Sequence, residues 1–440
     1  MKITNFEDTG LDRINNWIDI NRINEVDERS IKETLKTINI SFVIEGIDRI
    51  QSTLLCELKD SYVQQSQRYV TMGEDAYILP ELSKEDTEKS KELLNRVFDL
   101  YIRMSELKEG DFKGRPKIGN YKYGVPVEDA RYILPLATKT NLAVAMTADK
   151  LFDLFYLIND KKYYSIFNEF RKEIRGKLPV NLIKLLPESY NSDNNKELIE
   201  KFYSEDLKKI DNENKMVLLS KFEDLDVKVG LGALTSTQSS TPSQILTKWG
   251  DEARKNASGV VKRVLGYGHD SISEQARTTF GMMCSMVTYH QQIRHRLSKN
   301  HREDFSNLIK DRGRKILIPP TIRTSKFEEE FLSLANETKD FRMYILNKYG
   351  QDKALPFILN CDQVKLVISS NARMDIAMLS ERVCENAQWE IRELSTEKLM
   401  ILKSLSEILY NKAHPSCVFG KCKEGKLSCG KQEEVRKKFI

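Results

Sequence analysis

The sequence predicts an α+β protein laid down twice on one plan. Three observations carry this: apolar strand-like runs mixed with long helical patterns, a very polar stretch near the middle, and an order of elements after it that repeats the order before it. In the first half an apolar strand from Ser41 to Gly46 is followed by an amphipathic helical piece from Asp48 to Glu57, then by the polar run Ser61 to Val70. In the second half an apolar run beginning at Thr278 continues through Met286, and a helical piece leads to Gln291-Gln292-Ile293-Arg294-His295-Arg296 and a polar loop. Further on, Ala130 to Pro135 leads into what reads as an apolar helix carrying Thr147-Ala148-Asp149. Leu355 to Leu359 leads likewise to Asn371-Ala372-Arg373. Lys150 to Leu186 and Phe327 to Tyr349 alternate apolar and charged residues at helical spacing and are predicted to be helices covering a sheet. Pro187 to Lys215 shows no apolar face wide enough for a core helix. The expected division is therefore a first domain over 1–200, a polar linker over 201–215, a second domain over 216–413 and a short Cys-containing tail over 414–440.

The 440 residues are 31% charged and 40% hydrophobic with a mean hydropathy of −0.49, which describes a folded chain of two or three domains. No apolar run is long enough for a membrane span, and the first residues lack the pattern of a secretory signal. Seven cysteines, three of them crowded near the end, do not form a secreted disulfide framework, so a cytoplasmic setting is expected. The charge of +5 is spread along the chain; it suits an anionic small molecule and does not point to nucleic acid.

Arg294-His295-Arg296 is the densest cationic cluster that also holds an imidazole. Two planar guanidiniums there can bind phosphate or polarise a heterocycle carbonyl, or can simply form a solvated helix end. Gly266-Tyr267-Gly268-His269-Asp270-Ser271-Ile272-Ser273-Glu274 suits a loop that approaches a ligand closely, or a helix start capped by Ser271 with Glu274. Gln64-Gln65-Ser66-Gln67-Arg68-Tyr69 offers amides, a hydroxyl and a guanidinium able to hold a phosphate and a base edge, or is a polar turn. Arg131, one turn before Pro135, is either snorkelling or held for a ligand. Arg373 and Arg382 also stand close to apolar residues, and Ala387-Gln388-Trp389-Glu390-Ile391 reads as ordinary helix packing. His414, Cys417, Cys422 and Cys429 are four soft ligands, but the spacing lacks paired Cys-x2–4-Cys knuckles. No metal is assigned, and a packed thiol-rich tail is the competing reading. No Walker loop, Gly-x-Gly-x-x-Gly, Gly-x-Ser-x-Gly or His-Glu-x-x-His occurs.

Together these segments resemble the flavin-dependent thymidylate synthase family, whose signature is an Arg-His-Arg followed within about ten residues by a Ser-x-Arg and preceded by a Gly-His-x-Ser/Thr-x-x-Glu loop. The tail from Pro415 to Gly430 resembles the C-terminal extension of some members. The second half matches at Arg294-His295-Arg296, Gly268-His269-Asp270-Ser271, Asn371-Ala372-Arg373 and Ala387 to Ile391; the first matches at Gln64 to Tyr69 and Val125 to Pro135. The departures are complementary. Cys56-Glu57-Leu58 stands where the first copy should have Arg-His-Arg, and Asp304-Phe305-Ser306 where the second should have Ser-x-Arg. Leu355 falls opposite Arg131, and Asp149 opposite Arg373.

The resemblance implies two divergent copies of that fold, an antiparallel sheet covered by long helices. It further implies a homodimer acting as a pseudo-tetramer with composite sites. The nucleotide would be held by Ser66, Arg68, Arg131, Gln291, Arg294 and Arg382, with Ser66, Arg294 and Arg382 as the catalytic set. FAD would be held by His269, Ser271, Arg294, His295, Arg296, Asn371 and Arg373. The reaction implied is reductive methylation of dUMP to dTMP, with a methylene-carrying reduced pterin and NADPH as co-substrates. The alternatives are a related enzyme methylating or hydroxymethylating another pyrimidine, and a paralogue that binds nucleotide or flavin without turnover.

Overall fold

The computed structural model describes residues 1–17, 26–68, 70–106, 125–425 and 428–439. Strands β1 (Lys2–Asp8), β2 (Asn39–Asp48), β3 (Ser61–Gln64) and β4 (Lys139–Thr147) form an antiparallel sheet in the order β1-β2-β4-β3. Strands β5 (Met216–Lys221), β6 (Arg277–Ser285), β7 (Lys299–Arg302) and β8 (Gln363–Asn371) form a second antiparallel sheet in the order β5-β6-β8-β7. The repeated plan is thus one sheet topology used twice, and the α+β class stands.

Two compact units result. One takes the described residues up to Phe202 together with Asp304–Asp362; the other takes Tyr203–Glu303 and the residues from Gln363 on. The helical segment between β7 and β8 therefore packs in the unit of the first sheet. There, Leu136 N–H donates to Ile358 O at 2.7 Å and Asn360 N–H donates to Leu134 O at 2.9 Å, on either side of a Pro135–Leu359 bridge. These residues hold equivalent places in the two copies, so the pairing has a local two-fold character. In the same unit the long helices Lys84–Glu106 and Glu328–Tyr349 are joined by the bidentate pair Arg96–Glu337 and by buried Asp86, which accepts from Tyr344 and Lys348.

Two expectations need correction, and a third gains a detail. The run after Pro135 is strand β4 rather than an apolar helix, and its counterpart is β8. From Lys139 to Met146 exposed and buried positions alternate strictly, the period of a strand. Lys150 to Leu186 is broken into Leu151–Ile158, Asn168–Arg175 and Val180–Ile183, with Pro179 directly before the last. The polar stretch holds the helix Lys196–Lys208, none of whose residues is buried, so it is helical without joining a core.

The turn from β2 into the helix Arg49–Glu57 is closed by a capping box. Asp48 Oδ1 accepts Gln51 N–H at 2.7 Å, and Gln51 Oε1 accepts Asp48 N–H at 3.1 Å. Burial raises the Asp48 carboxyl to about 7. A carboxyl raised by folding holds its proton in the native state after the unfolded chain has lost it. Its contribution to stability therefore falls as pH rises from about 4 to about 7. Asp48→Asn keeps the cap acceptor and removes the titration. Denaturant midpoints at pH 5 and pH 8 should show the wild type losing ground to this variant at the higher pH, and an equal difference at both would exclude the assignment.

Candidate active site

In the first unit, the residues after β3 and the short turn before β4 bring two guanidiniums together. Arg68 Nε donates to Glu128 Oε2 at 2.8 Å, and Arg131 Nε donates to the Glu128 carbonyl at 3.0 Å. Ser66 Oγ accepts Arg68 N–H at 3.2 Å, which shapes the Ser-x-Arg turn. Arg131 is only 5% exposed, so it does not snorkel. Burial, and then the nearby Arg68 charge, pull its guanidinium down to about 10, still far above neutrality. Its Nη2 is buried without a hydrogen-bond partner, and Gln67 Nε2 is in the same condition. Asn360, fully buried, donates to Arg131 O at 2.9 Å and to Gln67 Oε1 at 3.3 Å. Buried cationic and amide donors left bare, with a second cation beside them, describe an anion site. Tyr69, part of the motif, lies outside the described residues.

In the second unit, Ser285 ends β6 and caps the helix Met286–Gln292 by accepting Thr288 N–H at 3.1 Å. Glu390, 4% exposed, holds that start: its carboxylate accepts Ser285 N–H at 2.7 Å, Thr288 Oγ1 at 2.8 Å and the Ser285 hydroxyl. The Ala387 to Ile391 stretch thus anchors the helix that leads into Arg294-His295-Arg296 rather than merely packing. His295 Nε2 accepts from Arg382 Nε at 2.9 Å, which places the imidazole proton on Nδ1. Arg294 and Arg296 are exposed, whereas Gln291 is buried with its amide 3.5 Å from Val287 O.

Beside His295 and Arg296 lies a cavity of about 160 Å³, walled by Met374 and Met378 and floored by the buried pair Lys398–Asp375 at 2.6 Å. That is room for roughly one six-membered ring. Asn371 caps the helix Ala372–Arg382 by accepting Met374 N–H at 2.9 Å, so its side-chain oxygen serves its own helix start. Gly268 at φ +82° ends the preceding helix. His269 and Ser271 then stand exposed around the 3-10 turn Asp270–Gln275. The expected cap by Ser271 and Glu274 does not form; Glu274 pairs instead with Arg373.

The equivalent positions of the two copies have been put to other uses. Asp304, in the place of Ser66, caps the helix Phe305–Lys310 and is paired with Lys162. Asp48 and Ser285 are both N-caps at the end of the same strand, so Arg294-His295-Arg296 corresponds to Glu57-Leu58-Lys59, one residue beyond the expected Cys56-Glu57-Leu58. Sequence reasoning missed Glu128, Asn360, Glu390 and the Lys398–Asp375 pair. Helical spacing brings Glu128 near Arg131, but its carboxylate pairs with Arg68, which lies far away in sequence; Asn360 carried no local signal.

Fold and site together define a duplicated α+β protein with a cationic cluster in each unit. The profile of one family, thymidylate synthase complementing protein, matches residues 8–179 and again 217–406. Among curated relatives, the flavin-dependent thymidylate synthase of Geobacter sulfurreducens is 30% identical over 199 residues, 43% of this chain and 85% of the relative. Those of Pyrococcus furiosus and Thermococcus kodakarensis are 31% and 33% identical, over 40% and 38% of this chain and 78% and 72% of the relatives. The chain belongs to the thymidylate synthase complementing protein family, as a tandem of two copies. Among the described residues no helix is long and apolar enough to cross a membrane.

Proposed function

We propose that the chain is a flavin-dependent thymidylate synthase that methylates dUMP to dTMP reductively, using methylene-tetrahydrofolate or a related pterin and NADPH. The observation that carries this reading is the buried, unpartnered Nη2 of Arg131 beside Arg68, a site that calls for a dianion. Arg68 and Arg131 hold the nucleotide phosphate, and the Ser66 hydroxyl orients it. Gln291, Arg294 and Arg382 serve the pyrimidine. Two guanidiniums stabilise the negative charge that builds on its carbonyl oxygens as C5 becomes nucleophilic, which is electrostatic work needing no covalent residue.

The residues of the second unit fit FAD. Arg294, Arg296 and Arg373 are cations suited to its diphosphate, His269 and Ser271 are exposed donors, and Met374 and Met378 give an apolar wall for a ring. His295, its orientation set by Arg382, and Asn371, which fixes the start of the helix carrying Arg373, complete that set. When bound, FAD supplies the hydride chemistry, and the protein supplies binding and orientation. Two chains assemble as a pseudo-tetramer.

The test is thermal unfolding of the FAD-loaded protein with dUMP, UMP or cytidine monophosphate. At about a hundredfold excess over Kd, dUMP should add about 2.7 kcal/mol of stability and the others much less. A preference for UMP or a cytosine ring would move the function to another pyrimidine. No flavin released on denaturation, even after incubation with FAD, would overturn the enzyme reading.

A further inference from the structure

In the second unit, the helices Ala372–Arg382 and Trp389–Leu405 each carry a charged residue where a buried stripe calls for an apolar one. Asp375 shares its stripe with Ala372, Met378 and Leu379, and Lys398 stands between Leu394 and Leu402 at four-residue spacing. The two are 1% and 3% exposed, and they form the ion pair that floors the cavity of about 160 Å³. The pair is lopsided. Asp375 Oδ1 accepts both from Lys398 Nζ at 2.6 Å and from Ser370 Oγ at 2.7 Å, whereas Asp375 Oδ2 is buried and accepts from no described residue. Lys398 carries three N–H donors; besides Asp375 its Nζ reaches Ser370 Oγ at 3.4 Å and stands 4.9 Å from the centre of the Phe280 ring. A bare carboxylate oxygen in the interior is costly, and well-packed apolar residues would join two helices at least as well as this pair does. Helix packing alone therefore gives no reason for it.

We propose that Lys398 and Asp375 recognise the rim of a planar nitrogen heterocycle that enters this cavity, and that the heterocycle is one end of FAD. Asp375 Oδ2 accepts an N–H of that rim, and Lys398 donates to the ring nitrogen or carbonyl oxygen beside it. Met374, Met378 and Ile368 supply apolar walls for the ring faces, and His295 and Arg296 line the same cavity. Adenine offers such a rim at N6 and N1, and the pyrimidine ring of the flavin offers one at N3 and its neighbouring carbonyls. The volume admits about one six-membered ring, so one end is held and not both. The inference rests on the FAD reading and deepens it. Arginines bind the phosphates of any nucleotide, whereas a buried acceptor beside a buried donor rejects a ring that lacks the matching N–H, because its own polar groups are then left unpaired.

The experiment reads binding rather than turnover, by flavin fluorescence on the full chain stripped of flavin. Wild type is titrated with FAD, with etheno-FAD, whose adenine N1 and N6 are tied into a further ring, and with N3-methyl-FAD, whose flavin N–H is blocked. One analogue should bind at least about tenfold more weakly than FAD, the loss expected for one charge-assisted hydrogen bond, and its identity names the end that is held. Removing the pair together, Lys398→Met with Asp375→Leu, should weaken FAD by a similar factor and leave the weaker analogue where it was. The ligand-free melting point should stay within a few degrees of the wild type, because no charge is stranded. Both analogues binding the wild type as tightly as FAD would overturn the proposal, whatever the variant does. So would wild-type FAD affinity in the folded double variant. Either result leaves the FAD reading standing, whereas a wild type that binds no FAD overturns both.

Discussion

Arg131→Met is expected to weaken dUMP binding by at least about tenfold, and by up to a hundredfold or more, while the unliganded protein melts no lower than the wild type. A charge-assisted hydrogen bond to a ligand is worth roughly 1.5 to 3 kcal/mol, which sets the lower end. The loss grows because Arg68 is left to hold the phosphate alone. The unchanged or raised melting point follows from the same geometry. Arg131 keeps a charge in a 5% exposed position with one guanidinium nitrogen bare. Met retains the aliphatic volume and removes that burden. Titration calorimetry with dUMP and a melting curve without ligand give both readings. Glu57→Ala and Lys59→Ala, at the first copy's counterparts of Arg294 and Arg296, should leave kcat/KM within about twofold, because that position carries no part of the proposed site. A wild-type Kd for Arg131→Met would remove the phosphate assignment. Equal sensitivity at Glu57 would mean that each copy builds a site of its own.

Much of this was legible in the sequence. Duplication, the α+β class and the two cationic clusters rest on patterns within a few residues: alternation along β2, the Arg-His-Arg run, and Ser66-x-Arg68. What stayed hidden depends on contacts between distant segments. The apolar residues of β4 sit on one face of a strand, yet small residues such as Ala143 and Ala145 on its other face blurred the period enough to suggest a helix. Glu390 is an unremarkable helix residue in sequence; only the fold puts its carboxylate on the cap of the Met286–Gln292 helix. Asn360 reaches Arg131 because the segment between β7 and β8 packs with the first sheet, and no local pattern encodes that. The complementary losses were visible as missing motifs and so were the residues standing in their place, but the partners those residues take up were not.

Asp304 shows what such a replacement does. It holds the place of Ser66 and meets Lys162, with side-chain exposures of 9% and 10%. Asp304 Oδ1 also accepts Ser306 N–H at 2.7 Å and the Gln351 amide at 3.1 Å. Lys162 foremost, and then Ser306, hold its carboxyl well below the ordinary carboxylate range despite burial. Lys162→Met should therefore be among the most destabilising single changes in the chain. Breaking a buried pair from one side costs about 3 to 5 kcal/mol, and the lower end applies because Lys196 stands 3.7 Å from the same carboxylate. The sign with pH follows from the depressed carboxyl. Its contribution is complete above the unfolded value near 4 and is lost as pH falls through the folded one, so the gap between wild type and Lys162→Met should close in acid. Lys162→Met combined with Asp304→Asn keeps the helix cap, removes the unpaired charge and should recover most of the loss. Chemical denaturation of the three proteins at pH 7 and at successive steps below pH 4, where that contribution is lost, checks the whole pattern. A double variant no better than Lys162→Met would show that lost packing by the lysine stem, rather than a stranded carboxylate, sets the cost. In the folded double variant dUMP affinity should match the wild type, because Arg68 and Arg131 are untouched. A parallel loss of dUMP binding would mean that the second copy's vacated position still serves the nucleotide.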